Sequence, residues 1–397
     1  MTGMTRTKKR ILVALYHSYV DTSSGAAISL RDLMEALASR DTEVRVLCGP
    51  RLDFEGAKTN EELLREQGIP FKTYRASHQG EGFRLCMFRT GGIEGGIWIP
   101  KHPQADPNHA VGEAWLSSYR DLVANWKPDM VITYGGFWMF QPMMDIAHQH
   151  GAKTVFFLCN CAYTNGKMFE KVDCTIVQSN FHAEWCRRTL GIEGVPLYPL
   201  IPPERYLCSD KREPKYLTFV NPQPAKGLFI FAKIAEVLQR KRPDIPLLVV
   251  EGRAKGHLLA QAGVRLSSHN LFRMANTPDP RDYLRVTKVM LVPSVVQETF
   301  GRVAAEAMIN GIPVVASNCG ALPEVVGDSG RLVDLTTRLM NSTSVMLKDE
   351  EIAPWIEAIE QLWDDVDSDV SSRCVSQSKR WSMESTLHEF ENVWNHA

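Results

Sequence analysis

The feature that most constrains this chain is a repeated order of short, mainly apolar runs separated by helix-periodic stretches. The runs fall at 11–16, 43–48, 130–133, 154–158 and 175–177, with a first helical pattern over 26–39. Short runs dominated by apolar residues read as buried strands, and strands separated by helices pair in parallel. After a proline-rich passage at 196–214 the order resumes with strands at 216–220, 247–250, 289–292 and 312–316. Helical patterns at 350–363 and 376–394 close the chain. Its 397 residues exceed one comfortable core. The expected α/β architecture is therefore two doubly wound, Rossmann-like domains facing a cleft, an acceptor-side domain over 1–200 and a donor-binding domain over 201–375. The final segment, 376–397, is expected to be a helix that packs back on the first domain. Ligands of such sheets bind outside the carboxyl ends of the strands.

Between residues 77 and 110 the alternation fails, because glycines and prolines punctuate short apolar pieces. This reads either as a lid facing a substrate or as a hairpin with a surface loop. Lys and Arg total 45 against 46 Asp and Glu, which removes the broad attraction of a nucleic-acid binder. Nine scattered cysteines suggest reduced thiols and a cytoplasmic location. The basic N-terminus precedes an apolar run that is too short for a secretory signal, and no stretch approaches the roughly 20 apolar residues of a membrane span. Phe181 and Trp185 with Arg187 and Arg188 fit either a membrane surface or core aromatics beside exposed arginines.

The chemistry concentrates in residues 293–313. A strand ends at Ser294, a loop carries Glu298, a helix begins near Thr299, Phe300 and Gly301, and Asn310 with Gly311 stops it. The start of that helix is an anion site, since unpaired amides and the positive end of the dipole meet there. Glu298 and Glu306 are eight positions apart, roughly 12 Å of rise and about 80° of rotation on a helix. They cannot act together on one bond. They could hold two ends of a long ligand, or be a solvated loop acid and a partner of Arg302 one turn away.

Residues 293–334, with Glu298-Thr-Phe-Gly301, Ala305-Glu-Ala-Met308, Gly311-Ile-Pro-Val-Val-Ala-Ser317 and Gly320-Ala-Leu-Pro-Glu324, resemble the donor-site signature of glycosyltransferase family four. A weaker likeness extends through Lys226-Gly227 and Ser24-Gly25-Ala26. The resemblance implies a GT-B fold and retaining transfer from a nucleotide sugar, with UDP favoured, to a small-molecule, glycan or lipid-linked acceptor. It further implies that Glu298 contacts the donor sugar, Glu306 the ribose and Lys226 the diphosphate, with no metal or other cofactor. Thr299, Phe300, Gly301 and Gly25 join the expected donor-binding set. For Gly25 the alternative is a glycine needed only for a tight turn.

Two positions depart from the family pattern. Asn221 stands where an arginine is usual, so Asn221 or Arg253 is expected to make up for one diphosphate partner. Cys159-Asn160 stands where a histidine is common, which leaves His17 and Asn160 as acceptor-side candidates. Rival readings are a nucleotide-sugar epimerase or phosphorylase of the same architecture, and a sugar-nucleotide-binding protein without turnover.

Overall fold

The computed structural model describes residues 8–53, 58–78, 80–102, 106–252, 262, 270–364 and 368–397. The chain divides into two compact units, one of Met1–Gln178, Ala183–Leu200 and Thr386–Ala397, the other of Ser179–His182 and Ile201–Ser385. Each is built around its own sheet.

The strands of the first unit are β1 (Lys9–His17), β2 (Thr42–Arg51), β3 (Phe71–His78), β4 (Glu81–Thr90), β5 (Ile93–Pro100), β6 (Met130–Thr133), β7 (Lys153–Phe157), β8 (Cys174–Val177) and β9 (Val195–Pro196). They lie in the order β3-β4-β5-β2-β1-β6-β7-β8-β9. Residues 11–16 of β1 are all at most 2% exposed, as a strand covered on both faces requires. The helix Gly25–Ala38 follows, with the Ser24 side chain accepting from the Ala27 amide at 3.4 Å.

The glycine-rich excursion is an ordered antiparallel meander of β3, β4 and β5, joined to the parallel strands through β2 and β5. Gly95 answers to packing. Gly95 lies opposite Phe88, and a Cβ there would sit 2.3 Å from the Phe88 ring.

In the second unit β10 (Tyr216–Val220), β11 (Leu247–Val250), β12 (Leu271–Met274), β13 (Thr287–Val292), β14 (Val314–Ser317) and β15 (Gly330–Val333) form a wholly parallel sheet in the order β12-β11-β10-β13-β14-β15. The expected single helix over 376–394 is broken. A helix Ser368–Ser378 ends in a short turn, Ser382 is extended at ψ 161°, and a new helix runs Met383–His396. From Thr386 onward the last helix belongs to the first unit, where Phe390 and Val393 join the core and Lys9 Nζ lies 4.3 Å over the Trp394 ring. No described helix is long and apolar enough to cross a membrane.

Candidate functional site

In the second unit the chain leaves β10 toward β11 on one side, while β13 lies on the other, so the sheet has a switch point between β10 and β13. Two loops meet there. The Val295 amide donates to the Ala225 carbonyl at 3.1 Å, which ties the loop after β13 to the turn carrying Lys226. Gly227 makes that approach possible: its φ is +90°, and a Cβ would fall 2.0 Å from the Pro293 carbonyl oxygen. On the far side of Glu298, Gly320 has φ +62°, and a Cβ there would lie 2.5 Å from both the amide nitrogen and the carbonyl oxygen of Glu298. The Ala321 amide donates to the same carbonyl at 2.8 Å.

This scaffold joins the two residues expected to carry the chemistry. Lys226 Nζ donates to Glu298 Oε1 at 2.7 Å, and the Ser294 hydroxyl donates to the same oxygen. Burial opposes ionisation of Glu298, but the Lys226 charge and the hydrogen bonds from Lys226 and Ser294 outweigh it and hold the carboxyl below its usual range. The Lys226 side chain remains 37% exposed, within reach of a ligand, against 14% for Glu298.

Gly301, at φ +102°, precedes a seven-residue helix, Arg302–Met308, and Gly311 at φ +66° ends it, its amide donating to Met308. The helix thus begins just after the expected 299–301. Phe300 is buried edge-on against Trp381, so its side chain serves the core and a donor contact would be left to its backbone. The Thr299 carbonyl accepts from the Ser179 hydroxyl at 2.7 Å. Glu306 is also interior: Arg302 Nε donates to it at 3.2 Å and the Tyr283 hydroxyl at 3.4 Å, and Arg302 in turn reaches the Tyr206 hydroxyl. Asn221 takes φ +60°, a conformation that asparagine tolerates better than most residues, and its amide donates to the Val250 carbonyl. Arg253 lies outside the described residues. Glu324, from the 320–324 motif, accepts from the amides of Asn180 and Phe181, all within the second unit, and thereby caps the start of a helix.

The first unit has its own pocket, a cavity of about 320 Å³ at the carboxyl ends of β2, β1, β6 and β7. The switch point of this sheet falls between β1 and β6. His17 and Asn160 both line the cavity. So do Arg51, Asp53, Asp106 and Tyr134, which no sequence motif marks; Arg51 ends β2 and Asp53 lies two residues beyond, the position from which such sheets offer ligand contacts. Arg51 donates to Asp106 and lies 5.2 Å over the Phe137 ring. Buried Asp21 accepts from the Asp53 amide at 2.7 Å.

His17 packs between Tyr134 and Phe137, at 5.1 and 5.2 Å between ring centroids, with Nε2 3.9 Å from Asp53. Burial lowers its pKa to about 4, and Arg51 adds to that against the opposing pull of Asp53. The imidazole is neutral at pH 7. A histidine that protonates less readily folded than unfolded withdraws stability as pH falls from 6.5 toward 4, on the order of 3 kcal/mol at full effect. His17→Gln is expected to lose less melting temperature than the wild type between pH 7 and 4.5. Equal losses would refute a buried neutral imidazole.

Gly25 opens the first helix, exposed, without positive φ, and a Cβ added there would meet nothing within 4 Å. Tight geometry therefore does not require glycine there. Of the stretch with membrane potential, Trp185 packs on the first unit's core while Arg187 and Arg188 pair with Glu184. Among the described residues no three of His, Cys, Asp and Glu gather into a metal-ligating group.

The comparisons agree with the second unit's geometry. Residues 214–365 match the family model described as Glycosyl transferases group 1. This segment is a glycosyl transferases group 1 domain. Within the curated proteins, a D-inositol 3-phosphate glycosyltransferase of Paenarthrobacter aurescens is 33% identical over 153 residues, 36% of this chain and 34% of that protein. A phosphatidyl-myo-inositol mannosyltransferase of Mycobacterium tuberculosis is 28% identical over 176 residues, 42% and 46% of the two chains. The chain thus aligns with about a third to a half of the length of these relatives. Solved structures extend the likeness in fold to nearly the whole chain: a glycosyltransferase from Rickettsia africae (TM-score 0.68, 13% identity, 98% of each chain) and an Anabaena protein in complex with UDP and glucose (TM-score 0.66, 14% identity, 97% and 99%). The group 1 domain is accordingly the second of two Rossmann-like domains of GT-B type.

Proposed function

We propose that the protein is a retaining glycosyltransferase that moves a sugar from a nucleoside diphosphate sugar to a hydroxyl acceptor. The observation that carries this reading is the Lys226–Glu298 pair at the switch point of the group 1 domain. Breaking the bond between the anomeric carbon and the diphosphate builds negative charge on the leaving phosphate, and a fixed ammonium placed there stabilises it. A diphosphate competes with Glu298 for Lys226 and frees the carboxylate to accept from a sugar hydroxyl. The open backbone at Gly25 allows a ligand to approach closely. Acceptor contacts fall to the first unit's pocket through His17 and Asn160.

UDP, the nucleotide held by the Anabaena protein of the same fold, is the first to test. With Lys226 as the charge partner no divalent cation is needed. The expected result is transfer that survives EDTA and a product whose proton NMR coupling shows the donor's anomeric configuration. Inversion would overturn the retaining assignment; loss of transfer in EDTA with recovery on adding Mg²⁺ would overturn metal independence.

A further inference from the structure

Two residues that line the first unit's cavity each carry a buried polar atom with no hydrogen-bond partner among the described residues: Nδ1 of His17 and the hydroxyl of Tyr134. Tyr134 is only 9% exposed, and burial together with the Asp53 charge drives its pKa well up and keeps it a neutral donor. Leaving such atoms unsatisfied costs about 1–3 kcal/mol each, whereas a ligand hydroxyl can serve both roles. His17 directs Nε2 toward Asp53, which favours the tautomer with the proton on Nε2 and leaves Nδ1 an acceptor. Phe137 and Tyr163 also line the cavity and give it an apolar side.

The charges decide between acceptor classes. Arg51 is engaged by Asp106 and by the Phe137 ring. Against this cation the described lining presents Asp53 and Asp106, Asp21 accepts from the Asp53 amide, and His17 contributes no charge at neutral pH. A phosphate dianion would enter a site of net negative charge whose guanidinium already has a carboxylate.

We propose that this cavity binds an uncharged sugar or cyclitol, one hydroxyl donating to His17 Nδ1 and another accepting from Tyr134, and that Asp53 and Asp106 select against phosphorylated acceptors. The proposal rests on the glycosyltransferase reading for its biological sense and deepens it by naming the acceptor class. The chemistry of the pocket thereby differs from what the phosphate-bearing name of the Paenarthrobacter relative describes.

The test is saturation-transfer difference NMR on the full chain without donor. The probes are myo-inositol, glucose, mannose, N-acetylglucosamine and the monophosphate ester of each, at equal concentrations. At least one uncharged probe is expected to bind, at least tenfold more tightly than its phosphate ester. Its signal should fall several-fold in Tyr134→Phe and His17→Gln, each checked for native melting at pH 7. In the double variant Asp53→Asn, Asp106→Asn the preference over the ester should narrow at least threefold. Equal or tighter binding of the esters, no binding by any uncharged probe, or binding untouched by all four substitutions overturns the proposal. Because no donor is present, a failure of nucleotide-dependent transfer with polyol binding intact would count against the enzyme reading alone.

Discussion

Lys226→Ala is expected to lower sugar transfer by about 10²–10³-fold, the range seen when one preorganised charge partner is removed from a developing anion. Glu298→Gln should do comparable harm by a different route, since the amide keeps the size of the carboxylate but weakens its acceptance from a sugar hydroxyl. Their stabilities should differ. Without Lys226 a largely buried carboxylate is left with Ser294 and must either lose solvation or take up a proton. Lys226→Ala is therefore destabilised more at pH 8 than at pH 5, because the partner that depressed the Glu298 pKa has gone. Glu298→Gln strands only a half-exposed ammonium, which water can reach. Initial rates at saturating donor and acceptor, with melting curves at the two pH values, check both statements. Wild-type rates in both variants would remove the pair from the mechanism.

The second large effect is expected from a single methyl group. Gly227→Ala drives a Cβ to 2.0 Å from the Pro293 carbonyl and forces alanine to hold φ +90°. Neither a carbonyl in the backbone nor the dihedral can yield cheaply, so a loss of about 2–4 kcal/mol follows, and Lys226 moves with the turn. Gly25→Ala is the contrasting case. Its Cβ meets nothing within 4 Å, so melting should change by less than about 1 kcal/mol while transfer falls, if a ligand does approach that backbone. Thermal melting and transfer rates measured on the two variants separate a glycine needed for folding from one needed for access. Unchanged transfer in Gly25→Ala would remove that residue from the donor-binding set.

The legible part of the fold was what local patterning controls. Residues 11–16 and 247–250 are strands because each is an uninterrupted apolar run buried on both faces, and 216–220 departs from this only by the buried Thr218 and half-buried ends. The meander of β3, β4 and β5 was hidden by its glycines, which look like loop punctuation until Phe88 is seen to occupy the space over Gly95. The break at Ser382 carries no glycine or proline signal, and the helical pattern runs through it.

In the donor-side site, the turn, the lysine and the first glutamate could be read from the motif. Their mutual bond could not, because it depends on a long-range approach set by Gly227 and Gly320. Glu306 shows the limit from the other direction: the plain (i, i+4) partner, Arg302, is the one found, with Tyr283 added from elsewhere in the chain. Arg51, Asp53 and Tyr134 have no motif at all. They come together only because β2, β1 and β6 end at the same edge of the first sheet.

The central claim is that the Lys226–Glu298 cradle receives a nucleotide sugar. A crystal structure of the protein with UDP-glucose tests it most directly. The expected electron density has diphosphate oxygens within hydrogen-bond distance of Lys226 Nζ and a sugar hydroxyl on Glu298, the 2.7 Å bond between the two residues having been exchanged for bonds to the ligand. A nucleotide bound elsewhere, with that bond intact, would contradict the account.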